Sequence, residues 1–120
     1  FLHESKTAAL LTASIRLGGM TANAAPAKLA ALTDYGQALG LAFQVIDDIL
    51  DADASTATLG KTAGKDAAQG KATYVSVIGL GEARALAESL RSEARAAIEA
   101  FGERGRRLHE LAHFIVTREF

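Results

Sequence analysis

Apolar residues recur along the chain at three- and four-residue steps and strict alternation is scarce, which is the pattern of helices. The opening "FLHESKTAALLTASIRLGG" reads as a helix under way, and Gly18-Gly19 would end it as glycines commonly do. Pro26, the single proline, suits the first turn of a second helix running from about Ala27 to Leu50. Next, "DADASTATLGKTAGKDAAQGK" mixes Gly60, Gly64 and Gly70 with Ser, Thr and three lysines, which marks a loop with room for one short turn. The segment Tyr74 to Leu80 is β-branched enough to pair as a strand, but its helical surroundings favour a short helix. From Glu82 to about Phe101, Leu86, Leu90, Ala94 and Ile98 repeat every four residues, giving a helix with one buried stripe that Gly102 and Gly105 break. A last helix, about Arg106 to Arg118, would bury Leu108, Leu111, Ile115 and Val116. The expected fold class is all-α.

Composition changes that picture little. With 49% hydrophobic and 22% charged residues the chain suits one soluble domain or a piece of one. Its 13 Lys+Arg against 14 Asp+Glu leave no overall field for nucleic acid or an anionic membrane, so any electrostatic work is local. The absence of cysteine excludes disulfides and thiolate metal sites and suits a cytoplasmic location. No apolar run reaches about 18 residues, so no membrane insertion is expected. Because the chain opens on Phe1 within a helix, it reads as part of a longer protein.

The unusual feature is "FQVIDDILDAD", Phe43 to Asp53, which holds four of the six aspartates. At 100° per residue, Thr33, Gln37, Gly40, Gln44, Asp47, Asp48 and Asp51 fall within about 60° of one line. Leu39, Ala42, Phe43, Val45, Ile46, Ile49 and Leu50 make the rest of the circumference apolar, over about two thirds of a turn, so the helix is mostly buried. A carboxylate stripe on a buried helix must meet water, a partner or a cation, because an isolated buried carboxylate is costly. Asp47 and Asp51, one turn apart, can converge on one hard cation. Magnesium fits, since it accepts one or two carboxylates, keeps waters and takes further ligands from phosphates. Gly36 and Gly40, each costing about 1 kcal/mol in a helix relative to Ala, imply close approach of something to the backbone. Lys61, Lys65 and Lys71 in the following loop, and Lys6-Thr7 near the start, could grip an anion held by that metal. A solvent-facing acidic turn is the plain alternative.

"GLAFQVIDDILD" followed by "TATLGKTAGKDAAQGKATY" resembles the second aspartate-rich motif and following loop of the trans-isoprenyl diphosphate synthases, the polyprenyl synthetase family that includes farnesyl and geranylgeranyl diphosphate synthases. "HESKTAALLTASIRLGG" is similar to the family's Lys-Thr helix and "LAHFIVTRE" to its closing segment, so the resemblance covers essentially residues 1–120, as the C-terminal part of a single domain. It implies an all-α bundle around a central cavity, of which this sequence would supply one side, since the first aspartate-rich motif is not in it. It also implies Mg2+ at Asp47 and Asp51 with Asp48 in support, and an allylic diphosphate held by Gln44, Lys6, Thr7 and Lys61, with Lys71 as a further contact. Asp47, Asp48, Asp51, Lys6 and Lys61 would act in catalysis, joining the allylic diphosphate to isopentenyl diphosphate; a homodimer is implied. The sequence departs from the family's pattern at Val75, where "KATY" is usually followed by proline. Arg118 is read as a helix-ending cation and left outside the site.

Three other readings compete. "GKT" at Gly60 to Thr62 is a partial P-loop, but Ser55 stands where a glycine is required and a helix, not a strand, precedes it. "HELAH", His109 to His113, formally matches a zinc hydrolase helix with Glu110 as base, against which stands the ordinary reading of histidines on a helix. His3 is read as structural. A non-catalytic helical subunit of a prenyl synthase is the third, opposed by the intact "DDILD" and "KT" pieces.

Overall fold

The computed structural model describes residues 2–57 and 72–119, and among them every regular element is helical. The elements are α1 (Leu2–Thr21), α2 (Pro26–Ala57), α3 (Tyr74–Ile78), α4 (Leu80–Ala97), a 3₁₀ segment (Glu99–Gly105) and α5 (Arg106–Thr117). The short segment at Tyr74 is thus a helix, not a strand.

Helix α2 is the axis on which the others pack. Tyr35, Ala38 and Leu39 bury against Ala94 and Ile98 from the end of α4 and Ala112 and Ile115 from α5. One to three turns further on, Ala42, Val45, Ile46 and Ile49 bury against Ala83, Ala87 and Leu90 of α4. Alanine dominates the α4 side of both clusters, and small side chains there let two helices approach closely. The four-residue stripe expected on α4 is present, with Leu86 at its half-buried margin and Ala83 and Ala87 inside it. On α5, Ile115 is buried and Leu108 and Val116 are half-buried, but Leu111 is 41% exposed and Ala112 takes its expected place inside.

Glycines act differently from the sequence expectation at the α1 end. The helix runs through Gly18 and Gly19, and Asn23 at φ +57° ends it. The Ala24 N–H donates to the Gly19 carbonyl at 2.9 Å and the Asn23 N–H to the Met20 carbonyl at 3.0 Å, a Schellman closure in which asparagine takes the left-handed position. Gly19 serves packing instead: a Cβ there would lie 2.7 Å from Leu32 Cδ1. Gly36 and Gly40 do meet a close approach, and what approaches is α1. A Cβ on Gly40 would sit 2.8 Å from Ala8 Cα, and one on Gly36 3.0 Å from Thr12 Cα. The close approach expected at these glycines is therefore that of a second helix backbone.

The acidic helix also runs seven residues past the expected end at Leu50, to Ala57. Ala52, Ala54 and Ala57 favour helix, and Asp53 is tied to Arg84 of α4 at 3.2 Å, so tertiary contact carries it into the stretch read as loop. Helix α4 ends at Ala97, short of the expected Phe101, and Gly102, at φ +57°, kinks the 3₁₀ segment that follows. Gly105 is buried against Phe101 at the start of α5.

Candidate functional site

The four aspartates of "DDILDAD" have separate surroundings because successive residues on a helix are about 100° apart. Asp47 Oδ1 accepts from Arg118 Nη2 at 2.6 Å. Asp48 Oδ2 accepts from the Tyr74 N–H at 2.9 Å, fastening the first turn of α3 to α2. That turn is closed by a reciprocal cap in which the Ser76 N–H donates to Thr73 Oγ1 and the Thr73 N–H to Ser76 Oγ. Asp51 is exposed, and Asp53 faces Arg84. Among the described residues no three His, Cys, Asp or Glu side chains gather into a metal-holding group, and of the three aspartates Asp48 is the one that accepts from a backbone N–H.

Donor chemistry nevertheless fits a hard cation at those two positions. Both offer carboxylate oxygens one turn, about 6 Å, apart along α2. Magnesium tolerates such a small protein ligand set because waters and substrate phosphates complete its octahedron.

The register of α1 against α2 brings the predicted anion contacts to the same end. Thr12 lies on Gly36 and Ala8 on Gly40, an antiparallel pairing that puts Lys6 and Thr7 beside the turn carrying Gln44. Lys6 is exposed and Thr7 and Gln44 are half-buried. At the far end of that seam Arg16 Nη1 donates to Thr33 Oγ1 at 2.5 Å, so Thr33 belongs to the α1–α2 contact. Lys61, Lys65 and Lys71, with the partial P-loop at Gly60 to Thr62, lie outside the described residues.

Arg118 is the residue that sequence reasoning left out. Its side chain is 9% exposed, against 40% for Asp47. Nη2 also donates to the Phe43 carbonyl at 3.3 Å and Nε to the Ile115 carbonyl at 3.2 Å, and the guanidinium carbon stands 4.4 Å from the centroid of the Phe43 ring. Arginine is suited to this placement because its planar fork can bond and stack at once. The sequence did hold a signal, since a carboxylate stripe on a buried helix needs a nearby cation.

The HELAH residues lie on the α4–α5 face. His113 Nδ1 is 2.9 Å from Arg91 Nη1, and Glu110 lies 3.1 Å from Arg107 and 3.7 Å from Arg106. An arginine therefore contacts His113, one of the two histidines a zinc ion would need, and two more flank Glu110, the position of the base.

This all-α arrangement, with a carboxylate pair at the edge of a buried axial helix and a Lys-Thr helix laid alongside, matches known proteins. The polyprenyl synthetase family model covers residues 1–104, and the chain belongs to that family. It is 51% identical over 114 residues to "Probable farnesyl diphosphate synthase" of Bradyrhizobium diazoefficiens, covering 92% of this chain and 34% of that protein. It is 44% identical over 119 residues to "Geranylgeranyl pyrophosphate synthase 11, chloroplastic" of Arabidopsis thaliana, covering 98% and 33%. A crystal structure from Marinomonas sp. MED121, assigned as a farnesyl-diphosphate synthase, superposes with a TM-score of 0.73 at 38% identity, covering 92% of this chain and 36% of that one. The chain spans about a third of the length of these relatives. Among the described residues no helix is long and apolar enough to cross a membrane.

Proposed function

We propose that this chain is the C-terminal part of a single polyprenyl synthetase domain whose complete form condenses an allylic diphosphate with isopentenyl diphosphate into a longer trans-polyprenyl diphosphate. The observation that carries the reading is the pair Asp47 and Asp51 on one face of α2, with Lys6-Thr7 laid beside it by the Ala8–Gly40 contact. Exposed apolar side chains support the partial-domain reading: Leu10 is 69% and Leu17 62% exposed on α1.

In this account Asp47 and Asp51 hold magnesium. That ion, when bound, draws charge from the diphosphate leaving group. Lys6 and Lys61 neutralise phosphate oxygens as charge builds on them, and Thr7 and Gln44 orient the group by hydrogen bonds, with Lys71 a further contact. Asp48 steadies the cluster by fastening α3 to α2. The allylic carbon–oxygen bond breaks, the isopentenyl double bond attacks the resulting cation, and proton loss completes the elongation. Apolar helix walls exclude the water that would quench the cation. In the same account the enzyme is a cytoplasmic homodimer, a location supported by the absence of cysteine and a dimer by the family resemblance.

Incorporation of labelled isopentenyl diphosphate, with dimethylallyl or geranyl diphosphate and magnesium, tests the reading. A protein of the relatives' full length carrying this sequence should elongate the allylic substrate, whereas the 120 residues alone should not. Elongation by neither would favour the non-catalytic subunit.

A further inference from the structure

We propose that Arg118 is a positioning residue for Asp47: it holds one carboxylate oxygen so that the other is presented to the metal and diphosphate, making the C-terminal turn of the chain part of the site. The inference rests on the reading of Asp47 as a metal ligand.

Two features of the pair support it. The first is rigidity, because the guanidinium is fixed by the Ile115 and Phe43 carbonyls and by the Phe43 ring before it reaches Asp47. An aspartate on a helix surface otherwise samples several rotamers, and fixing it beforehand removes that ordering cost from binding. The second is the sense of burial. The cation is the buried partner and the carboxylate the accessible one, 9% against 40% exposed, so the anchor lies inside and the ligand atom remains reachable. A guanidinium near a metal also repels it. Here that charge is matched by Asp47 itself, while Asp51 keeps its own, so orientation outweighs repulsion. Phe43, four residues before Asp47 on α2, supplies both the ring and a carbonyl, which places platform, anchor and ligand on adjacent turns.

The test titrates manganese, an ion with a paramagnetic signal standing in for magnesium, into the full-length protein with inorganic diphosphate present. Proteins compared are the unaltered one and Arg118→Met, Arg118→Lys, Asp47→Asn and Asp51→Asn. Removing a hydrogen-bonding partner of a ligating carboxylate typically costs about 10–100-fold in metal affinity, and Arg118→Met should lose that much. Arg118→Lys should fall between, since an ammonium keeps the charge but lacks the planar fork that reaches several acceptors. Unaltered affinity in Arg118→Met, with loss in Asp47→Asn, would show that Arg118 only closes the C-terminal end, and the inference would fail while the function stood. Tighter binding in Arg118→Met would make the arginine a competitor and overturn the inference likewise. Unaltered affinity in both aspartate variants would remove the metal site and the inference together. If Arg118→Met loses its helical circular dichroism, Arg118→Lys decides: weakened binding supports the proposal and unaltered binding refutes it.

Discussion

The Tyr35 hydroxyl donates to the Leu108 carbonyl at 2.8 Å, a bond from the middle of α2 to the first turns of α5 across 73 residues. Tyr35 is fully buried, and burial pushes its phenol up from 10.0 to about 12. Below pH 10 the phenol is protonated folded or unfolded, and its contribution to stability is complete. Between pH 10 and 12 the unfolded chain loses the proton first, so stability falls as pH rises, by about 2–3 kcal/mol for a shift of two units. Denaturant midpoints of the protein and of Tyr35→Phe across pH 9–12 check this. The variant should start lower, by about 0.5–1.5 kcal/mol for the lost hydrogen bond, because the Leu108 carbonyl keeps its place in the α5 ladder, and should lack the alkaline decline.

Glycines of α1 and α2 should respond in opposite directions to alanine. Nothing lies within 4 Å of a Cβ built on Gly18, so Gly18→Ala should gain about 0.5–1 kcal/mol of helix propensity. At Gly40 the same change meets Ala8 Cα and Cβ at 2.8 Å, which forces the helices apart. A loss of about 1–3 kcal/mol is expected there. Thermal unfolding of both variants is the measurement.

Asp53 belongs to the acidic run but not to the proposed ligand pair. Its partner Arg84 is 56% exposed and the pair lies at the surface. Such a bridge contributes about 0–1 kcal/mol, so Asp53→Asn should change stability within that range and, if the full-length protein is the proposed prenyl transferase, leave its rate near the original. Parallel unfolding and turnover assays decide it.

No zinc chemistry is expected at HELAH. With Arg91 on His113 and Arg106 and Arg107 about Glu110, metal analysis of purified protein should find no stoichiometric zinc, and His109→Ala should leave turnover nearly unchanged. A stoichiometric zinc lost in His109→Ala would contradict this.

The helices were legible because burial on α2 and α4 follows the apolar period; Leu39, Val45, Ile49, Leu90 and Ile98 are all within the core. Two kinds of feature were not. Helix ends depended on contacts between elements, so α1 passed through Gly18-Gly19 to a cap at Asn23, and α2 continued to Ala57 beside Arg84. Leu111 and Ala112 exchanged roles because the face α5 turns to Tyr35, Leu39 and Ile98 carries Ala112, and which face meets a neighbour is not encoded by local periodicity. The pair proposed as ligands, Asp47 and Asp51, could be placed on one face of α2 from the i, i+4 spacing. The partners of those carboxylates could not, since Arg118 and Tyr74 reach Asp47 and Asp48 across 71 and 26 residues.

Turnover of labelled isopentenyl diphosphate by Asp47→Asn and Asp51→Asn in the full-length protein tests the central claim most directly. Both variants should fold, because neither removes an apolar contact and Arg118 keeps the Phe43 and Ile115 carbonyls and, in Asp47→Asn, an amide oxygen as acceptors, and each should lose about 10²–10³-fold in kcat, the usual cost of removing an electrostatic contribution to a charged transition state. Turnover unaltered in both variants would contradict the account.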